Sequence, residues 1–295
     1  MRALVLSSLI GLSACSSSIG GPCSLDNPCD EGVCNLSGPG DPVCVDADGD
    51  LDGDGLPNKR DFCNQQPGGE FDEDGDGIGD ECDACPIARP PATPDTDGDG
   101  VDSPCDPDPT IAGDKIVVFE GFNAGLPASW HKEGTWEARG GEAAFTSTDP
   151  TVAQSLTANL PAAARHLAVL ASYRVDRLDA TATQVLAGVA VADRRPAGVS
   201  ITSCGGSRVG MTDSLLLTSD AAGSTTKPFT NLFDPAGLYS VAQRVDNAQS
   251  ACAMISAMQS GAVQQMTAGE LFTEAGLTAR GLNVRFQYLL VVQRP

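Results

Sequence analysis

The chain has 295 residues, of which 39 are acidic and 18 are basic, and its net charge is −21. The acidity is local, because residues 23–109 contain 24 acidic and 3 basic side chains, a difference equal to the whole net charge. No basic face can neutralise phosphates, which excludes a nucleic acid as a partner. A segment this acidic and this poor in apolar residues cannot bury a core, so its folding requires a bound cation.

Residues 3–12 form a short apolar segment that is typical of an export signal and too short to span a bilayer. The motif Leu12-Ser13-Ala14-Cys15 resembles the bacterial lipobox, in which the cysteine is lipidated and becomes the mature N-terminus. The alternative is an ordinary secretory signal with a chance cysteine. The resemblance implies a signal peptide over 1–14, a lipidated Cys15 that begins a tether over 15–22, and a lipid anchor at the outer membrane or cell surface.

The chain has eleven cysteines, and setting Cys15 aside leaves ten, an even number for an oxidising compartment. Four of them lie in the compact segment 23–45: Cys23, Cys29, Cys34 and Cys44. The stretch from Asn27 to Cys34 is similar to the start of an EGF-like module, which would need six cysteines in full. We therefore expect a small Cys-rich segment, for which the sequence allows three disulfide connectivities.

One acidic spacing then occurs three times. Each copy has aspartates at positions 1, 3 and 5, a glycine at position 6, and further oxygen-bearing side chains up to a closing aspartate. Oxygen ligands around a turn glycine are what Ca²⁺ requires, and position 7 would offer its backbone carbonyl. The expected ligands are Asp50, Asp52, Asp54, Leu56, Asn58 and Asp61 in the first loop, Asp72, Asp74, Asp76, Ile78, Asp80 and Asp83 in the second, and Asp95, Asp97, Asp99, Val101, Asp102 and Asp106 in the third.

The next four cysteines keep the phase of these loops. Cys63 and Cys85 follow the closing aspartates of the first two loops, whereas Cys82 and Cys105 precede those of the second and third. The pairing that this register favours is Cys63–Cys82 and Cys85–Cys105, which would staple neighbouring loops. The remaining pair, Cys204 and Cys252, would then form a bridge in the C-terminal half.

The segment Asp80-Glu81-Cys82-Asp83-Ala84-Cys85-Pro86, within acidic loops that recur every 22 to 23 residues, resembles thrombospondin type 3 repeats. The resemblance implies a calcium-stabilised rod over 46–110 with little secondary structure. The first loop has Asn58 where the second has Asp80. The third loop lacks a glycine, which places Asp102 at position 8. Asp46 and Asp48 precede the first loop and would complete a further, partial site.

Two alternatives to calcium loops differ in what surrounds them. An EF-hand has the same loop spacing, but it requires amphipathic helices on both sides and prefers Glu at position 12. The flanks here, 66–69 and 89–91, contain Pro and Gly, which break helices. A disordered acidic tether would not keep its cysteines in phase with the loops. The pattern therefore favours calcium loops.

After about residue 114 the composition becomes rich in Val, Leu, Ala and Thr, and short apolar or alternating segments are separated by Gly, Pro, Asn and Asp. This predicts one antiparallel β-sandwich over 114–295. The predicted strands are Lys115–Phe122, Thr135–Phe145, Leu167–Val175, Gln184–Val191, Gly198–Thr202, Ser214–Thr218, Gly237–Val245 and Leu282–Val292. Only Asn247–Gln265 is ambiguous between helix and strand.

The opening segment 119–130, with its Phe119-Glu120-Gly121-Phe122 motif, and the long apolar final strand resemble the concanavalin A-like lectin/glucanase jelly roll. The resemblance implies that the first and last strands pair. The expected fold class is therefore mainly β: an irregular calcium-stabilised rod followed by an antiparallel β-sandwich of the jelly-roll type.

Catalytic motifs are missing from this half of the sequence. Glucanases of this fold place Glu-x-Asp-x-Glu on one strand, because hydrolysis needs two carboxylates at one glycosidic bond, and no such triplet occurs. The glutamates near the start are scattered around turns: Glu120, Glu133, Glu137 and Glu142. The segment 205–209 fails the nucleophile-elbow motif at its last position. His131 and His166 lack metal spacing, and core or rim packing is the favoured role of Trp130 and Trp136. We expect no enzymatic activity.

The sequence thus predicts a calcium-binding, lipid-anchored surface protein with a role in adhesion or surface recognition. Its partners would be Ca²⁺, a membrane through the N-terminal lipid, and a glycan or surface protein bound by the sandwich. A structural envelope protein without a specific ligand is the first alternative, and a glycan hydrolase is the second.

Overall fold

The structure is a computed structural model that describes residues 17–38, 40–89, 94–195, 198–267 and 269–294. The predicted signal peptide and Cys15 lie outside the described residues. Two compact units are present, Met1–Asp83 and Ala84–Pro295. Within the described ranges, no helix is long and apolar enough to cross a membrane.

The first unit has little regular structure. Strands β1 (Val33–Asn35) and β2 (Val43–Val45) pair antiparallel, and a single 3-10 turn covers Asn58–Arg60. Three disulfides crosslink the unit: Cys23–Cys34, Cys29–Cys44 and Cys63–Cys82. The first two select one of the three connectivities that the sequence left open. The third is the pairing predicted from the loop register.

The second unit is an antiparallel β-sandwich, which confirms the predicted fold class. Its strands are β3 (Lys115–Glu120), β4 (His131–Lys132), β5 (Thr135–Ala138), β6 (Ala143–Thr146), β7 (Gln154–Ala164), β8 (His166–Leu178), β9 (Gln184–Arg195), β10 (Gly198–Val209), β11 (Thr212–Ser219), β12 (Gly223–Pro228), β13 (Tyr239–Asp246), β14 (Gln249–Ser256), β15 (Ser260–Met266), β16 (Phe272–Arg280) and β17 (Leu282–Arg294). One sheet has seven strands in the order β12-β11-β10-β9-β16-β7-β4. The other has eight strands, seven of them in the order β15-β14-β13-β8-β17-β6-β5 and the eighth, β3, outside this order.

Strand β3 pairs with β17, so the first long strand and the last one are neighbours as predicted. The ambiguous stretch Asn247–Gln265 forms the hairpin β14–β15. The predicted strand Thr135–Phe145 is wrong in that it is two strands, β5 and β6, which pair antiparallel. Strands β7, β12 and β16 were not predicted, and neither was the short strand β4. Strand β7 contains Pro161 and a run of alanines, and both residue types are depleted in strands. Only the pairing of β7 with β16 and β4 makes this segment a strand.

The core lies between the two sheets and is built from alternate residues of each strand. In β8 these are Leu167, Val169, Ala171, Tyr173 and Val175. The buried disulfide Cys204–Cys252 joins β10 to β14, and therefore links one sheet to the other.

A bulge in β17 changes which of its side chains face the core. Regular alternation along the strand would place Val284, Phe286 and Tyr288 on one face, and the first two are fully buried in the main core. The pairing with β8 shifts between Phe286 and Tyr288, because one extra residue is inserted there. Tyr288 therefore contacts a different apolar cluster, and Leu289 takes its place in the core.

The second apolar cluster, which Tyr288 contacts, lies between the outer face of the eight-stranded sheet and the segment 85–105. Val101 and the disulfide Cys85–Cys105 pack with Ala168, Leu290 and Val292. All but Ala168 of these residues are 2 % exposed or less. The third acidic loop is thus part of the same compact unit as the sandwich. The domain boundary predicted at 110–114 stays a prediction.

Candidate metal sites

The three acidic loops share one hydrogen-bonding scheme. In each loop the carboxylate at position 1 accepts hydrogen bonds from the backbone N–H groups at positions 4 and 6, at 2.7–3.1 Å. Both positions are glycines with positive φ, a conformation that a side chain disfavours. The carboxylate at position 5 accepts a hydrogen bond from the N–H at position 7. Carboxylate oxygens at positions 1, 3 and 5 consequently lie within 4.8 Å of one another in every loop.

In the first loop the closing residue Asp61 is 3 % exposed. Its Oδ1 accepts a hydrogen bond from the backbone N–H of Cys63 at 2.7 Å, and its Oδ2 is buried without a hydrogen-bond partner. Burial raises the pKa of Asp61, and the charges of Asp52, Asp54 and Asp50 raise it further. An ionised Asp61 therefore needs a positive charge at this place.

In the second loop Asp80 is the residue whose pKa is raised most strongly. Burial raises its pKa to about 7, and repulsion by Glu73, Glu81 and Asp72 adds to this effect. Its Oδ1 accepts a hydrogen bond from the N–H of Glu73 at 2.8 Å. The closing residue of this loop, Asp83, is half-buried.

In the third loop Asp97 has both carboxylate oxygens buried without a hydrogen-bond partner. The closing residue Asp106 is 7 % exposed, and its Oδ2 also has none. Burial raises the pKa of Asp106, and so do the neighbouring carboxyls of Asp114 and Asp97. The loop thus repeats the arrangement of the first one.

The missing glycine of the third loop moves one hydrogen bond by one residue. Asn58 and Asp80 accept hydrogen bonds from the N–H groups at position 2 of their loops, at 3.0 and 2.8 Å. Asp102 accepts one from the N–H of Asp95 at position 1, at 2.9 Å. An equivalent contact therefore closes all three loops, shifted by one residue in the third.

The partial site predicted at Asp46 and Asp48 is arranged differently. The Asp48 carboxylate, 81 % exposed, pairs with Lys59 Nζ at 2.6 Å. The Asp46 carboxylate accepts a hydrogen bond from the N–H of Asp48, and the Asp46 carbonyl accepts one from the Asn58 amide at 2.8 Å. Neither residue joins an acidic cluster in the part of the chain that the structure describes.

The donor set of the loops fits a hard divalent cation. It consists of carboxylate oxygens that backbone N–H groups hold in place, to which the sequence would add the peptide carbonyl at position 7. The unpartnered oxygens of Asp61, Asp97 and Asp106 are the decisive feature, because a buried carboxylate without a donor or a metal is strongly unfavourable.

A different charged cluster lies on the face of the seven-stranded sheet that points away from the core. Arg194 of β9 donates hydrogen bonds from Nε to Glu274 Oε2 at 2.8 Å and from Nη2 to Glu133 Oε1 at 3.1 Å. His131 and Ser155 also contact the Glu133 carboxylate, at 3.0 and 3.2 Å. The cluster brings together residues from β4, β7, β9 and β16, and sequence analysis had considered only two of its members, Glu133 and His131.

Electrostatics distinguish Glu133 from a catalytic acid. Burial would raise its pKa, but hydrogen bonds from His131, Arg194 and Ser155 and the charge of Arg194 outweigh burial and lower it. A general acid in glycoside hydrolysis needs a raised pKa. The arrangement suits the binding of a polar ligand better than proton transfer.

The other residues considered for catalysis are dispersed. Glu142 pairs with Arg285, Glu137 pairs with Arg139, and His166 contacts Asp246 at 2.7 Å. The predicted packing role of the tryptophans is confirmed. Trp136 is 3 % exposed in the core, and Trp130 packs edge-on against Phe122. Glu120 accepts a hydrogen bond from the N–H of Phe122.

No protein-family model matches the sequence, and no curated protein does. The sandwich is similar to several solved structures. One is the CBM2 module of the evolved Dit of Lactobacillus casei BL23 phage J-1, with 13 % identity, a TM-score of 0.45, and coverage of 62 % of this chain and 96 % of that one. Another is SCLam, a non-specific endo-β-1,3(4)-glucanase of family GH16, with 10 % identity, a TM-score of 0.45, and coverage of 63 % and 93 %. A third is lectin UEA-II complexed with galactose, with 9 % identity, a TM-score of 0.44, and coverage of 62 % and 100 %.

Proposed function

We propose that this protein is a calcium-binding surface protein, anchored by a lipid on Cys15, whose β-sandwich recognises a ligand at the cell surface. The observation that carries the proposal is the set of buried, unpartnered carboxylate oxygens in acidic loops of one repeated geometry. These loops are the segment that resembles thrombospondin type 3 repeats, and Ca²⁺ would neutralise and order them.

The anchor and the export of the chain rest on the lipobox-like motif and on the disulfides. Five disulfides pair all ten remaining cysteines. Such a density of disulfides is expected in an oxidising compartment. Cys15 would attach the chain to the outer membrane, and the acidic repeats would separate the sandwich from the lipid along the sequence.

For the sandwich we propose binding without catalysis. The cluster around Arg194 lies on the outer face of the seven-stranded sheet, where the side chains of Glu133 and Arg194 are 43 % and 20 % exposed, which suits a polar ligand such as a glycan. The lowered pKa of Glu133 argues against a hydrolase. A structural envelope protein without a ligand is the competing function.

A calcium titration tests the central part of the proposal. Isothermal titration calorimetry on the oxidised chain should show binding with a dissociation constant of about 10⁻⁴ to 10⁻³ M, the range of extracellular modules. Magnesium serves as the control cation, since it demands octahedral geometry and keeps its waters. Absence of calcium heat, together with unchanged protease sensitivity of residues 46–109 after chelation, would refute calcium binding.

Two further measurements test the anchor and the ligand. Mass spectrometry of the mature N-terminus should find a diacylglyceryl-modified Cys15, and an unmodified cysteine would exclude the lipid anchor. A glycan array probed with the calcium-loaded protein and with an Arg194→Ala variant separates recognition from a structural role. Binding that the variant loses supports recognition, whereas no binding above background favours the structural alternative.

A further inference from the structure

The third acidic loop differs from the first at the place where the chain leaves it. In the first loop Asp54 Oδ2 accepts a hydrogen bond from the N–H of Gly68 at 2.9 Å, and in the third Asp99 Oδ2 accepts the equivalent one from Gly113 at the same distance. Both glycines have positive φ. The next residue is Gly69 in the first case and Asp114 in the second.

This position faces the closing aspartate in both loops. A Cβ at Gly69 would lie 2.6 Å from Asp61 Oδ1. In the third loop the same position carries a carboxylate, and this carboxylate lies within hydrogen-bonding reach of that of Asp106. The N–H of Asp114 also donates to Asp99 Oδ2 at 2.7 Å. Asp114 is 1 % exposed, so water does not screen its charge.

Asp114 also connects the third loop to the sandwich along the chain. It directly precedes β3, and Arg294 at the end of β17 donates to both of its oxygens, at 3.1 and 2.7 Å. A carboxylate has about four lone-pair positions, so these two hydrogen bonds leave room for a metal. Asp106 Oδ2 independently indicates a bound cation, because this oxygen is buried and accepts no hydrogen bond.

We propose that Asp114 is a ligand of the cation in the third loop and that this cation therefore stabilises the β-sandwich directly. The inference depends on the proposed calcium binding of the loops. The third site would comprise the carboxylates of Asp95, Asp97 and Asp99, which lie within 4.8 Å of one another, and in addition Asp106 and Asp114. The first loop supplies four carboxylates from Asp50 to Asp61, one fewer. Calcium would then hold the start of β3, the end of β17 and the apolar cluster around Val101 in one arrangement.

Tryptophan fluorescence reports on the sandwich alone, because the only tryptophans of the chain are Trp130 and Trp136. Thermal unfolding of the full oxidised chain is followed in 10 mM Ca²⁺ and in chelator. With a dissociation constant of about 10⁻⁴ M, mass action predicts a rise of the midpoint by roughly 5–10 °C for a domain of this size. Asp114→Asn should weaken the third site about tenfold and reduce this rise to about half.

Two matched variants separate metal binding from other effects. Asp108→Asn also removes a partner of Arg294, which contacts Asp108 at 3.6 Å, but it leaves the loop carboxylates intact and should keep the full rise. Asp61→Asn changes the equivalent closing residue of the first loop, in the other compact unit, and should keep it as well.

The outcomes are distinguishable. A chain that binds calcium in calorimetry but shows no rise of the tryptophan midpoint refutes the coupling to the sandwich. A full rise in Asp114→Asn refutes Asp114 as a ligand. Should Asp114→Asn not fold, Asp97→Asn replaces it, because Asp97 lacks protein hydrogen bonds to lose. A full rise in Asp97→Asn would again refute the coupling. Calorimetry without any calcium heat would refute the proposed function itself.

Discussion

Replacing Asp61 by Asn should have opposite effects on the first acidic loop with and without calcium. Asn has nearly the same shape and keeps the oxygen that accepts the hydrogen bond from Cys63 N–H at 2.7 Å. It removes the negative charge whose Oδ2 is buried without a partner. It also supplies a donor to the neighbouring carboxylates, which otherwise repel Asp61.

The magnitude follows from burial. Asp61 is 3 % exposed, so water screens its charge little. A buried group without a hydrogen-bond partner costs about 1–3 kcal/mol. Because the other oxygen of Asp61 keeps its hydrogen bond, the calcium-free variant should be more stable than wild type by about the lower of these values. A calcium ion loses a charged ligand in the variant. Binding that is about tenfold weaker removes about 1.4 kcal/mol of calcium stabilisation, which cancels or reverses the gain.

Amide hydrogen exchange with mass spectrometry measures both effects. The first unit contains no tryptophan or tyrosine, so peptides from residues 46–83 must report its opening. In chelator these peptides should exchange about fivefold more slowly in Asp61→Asn, and this protection should disappear in saturating calcium. Asp48→Asn is the control, since Asp48 is exposed and paired with Lys59 outside the cluster.

Three results would contradict the reasoning. If Asp61→Asn exchanges faster than wild type in chelator, the buried oxygen has a partner other than a metal. If the variant stays more protected than wild type in calcium, Asp61 is not a ligand. An Asp48→Asn effect as large as that of Asp61→Asn would show that charge alone, and not position, determines the outcome.

Three further predictions concern the sandwich and are measured by urea unfolding with tryptophan fluorescence. Replacing both Cys204 and Cys252 by alanine opens a loop of 48 residues and should lower the free energy of unfolding by about 4 kcal/mol. A loss below about 1 kcal/mol would show that this disulfide does not restrain the unfolded chain. Gly276→Ala should cost about 3 kcal/mol, because its Cβ would lie 2.1 Å from the Leu156 carbonyl of the adjacent strand, and wild-type stability would contradict that approach. The lowered pKa of Glu133 implies stability that is present above its unfolded pKa and lost as the pH falls through the folded value. The advantage of wild type over Glu133→Gln should therefore shrink as the pH falls below about 4.3, the ordinary pKa of glutamate, and an advantage that stays constant down to full protonation would exclude the ion pair as its source.

The local features of this protein could be predicted from the sequence because they depend on residues close together in the chain. The acidic loops close on their own glycines and backbone N–H groups within a few residues. The pairing of Cys63 with Cys82 follows from the repeat register, and the β class follows from short apolar segments between turn residues.

Contacts between distant segments could not be predicted. Glu133, Arg194 and Glu274 come from separate strands, and only the order of the seven-stranded sheet makes them neighbours. The bulge in β17 is equally invisible, because an extra residue in one strand is defined by its partner strand.

The sequence by itself determined that the protein has three acidic loops with the geometry of cation ligands, because spacing and turn glycines are local properties. Tertiary structure alone decided that the third loop packs on the eight-stranded sheet and that Asp114 faces Asp106. The physical reason is that a buried carboxylate is tolerated only where the fold brings a counter-charge to it, and Arg294 lies 180 residues further along the chain.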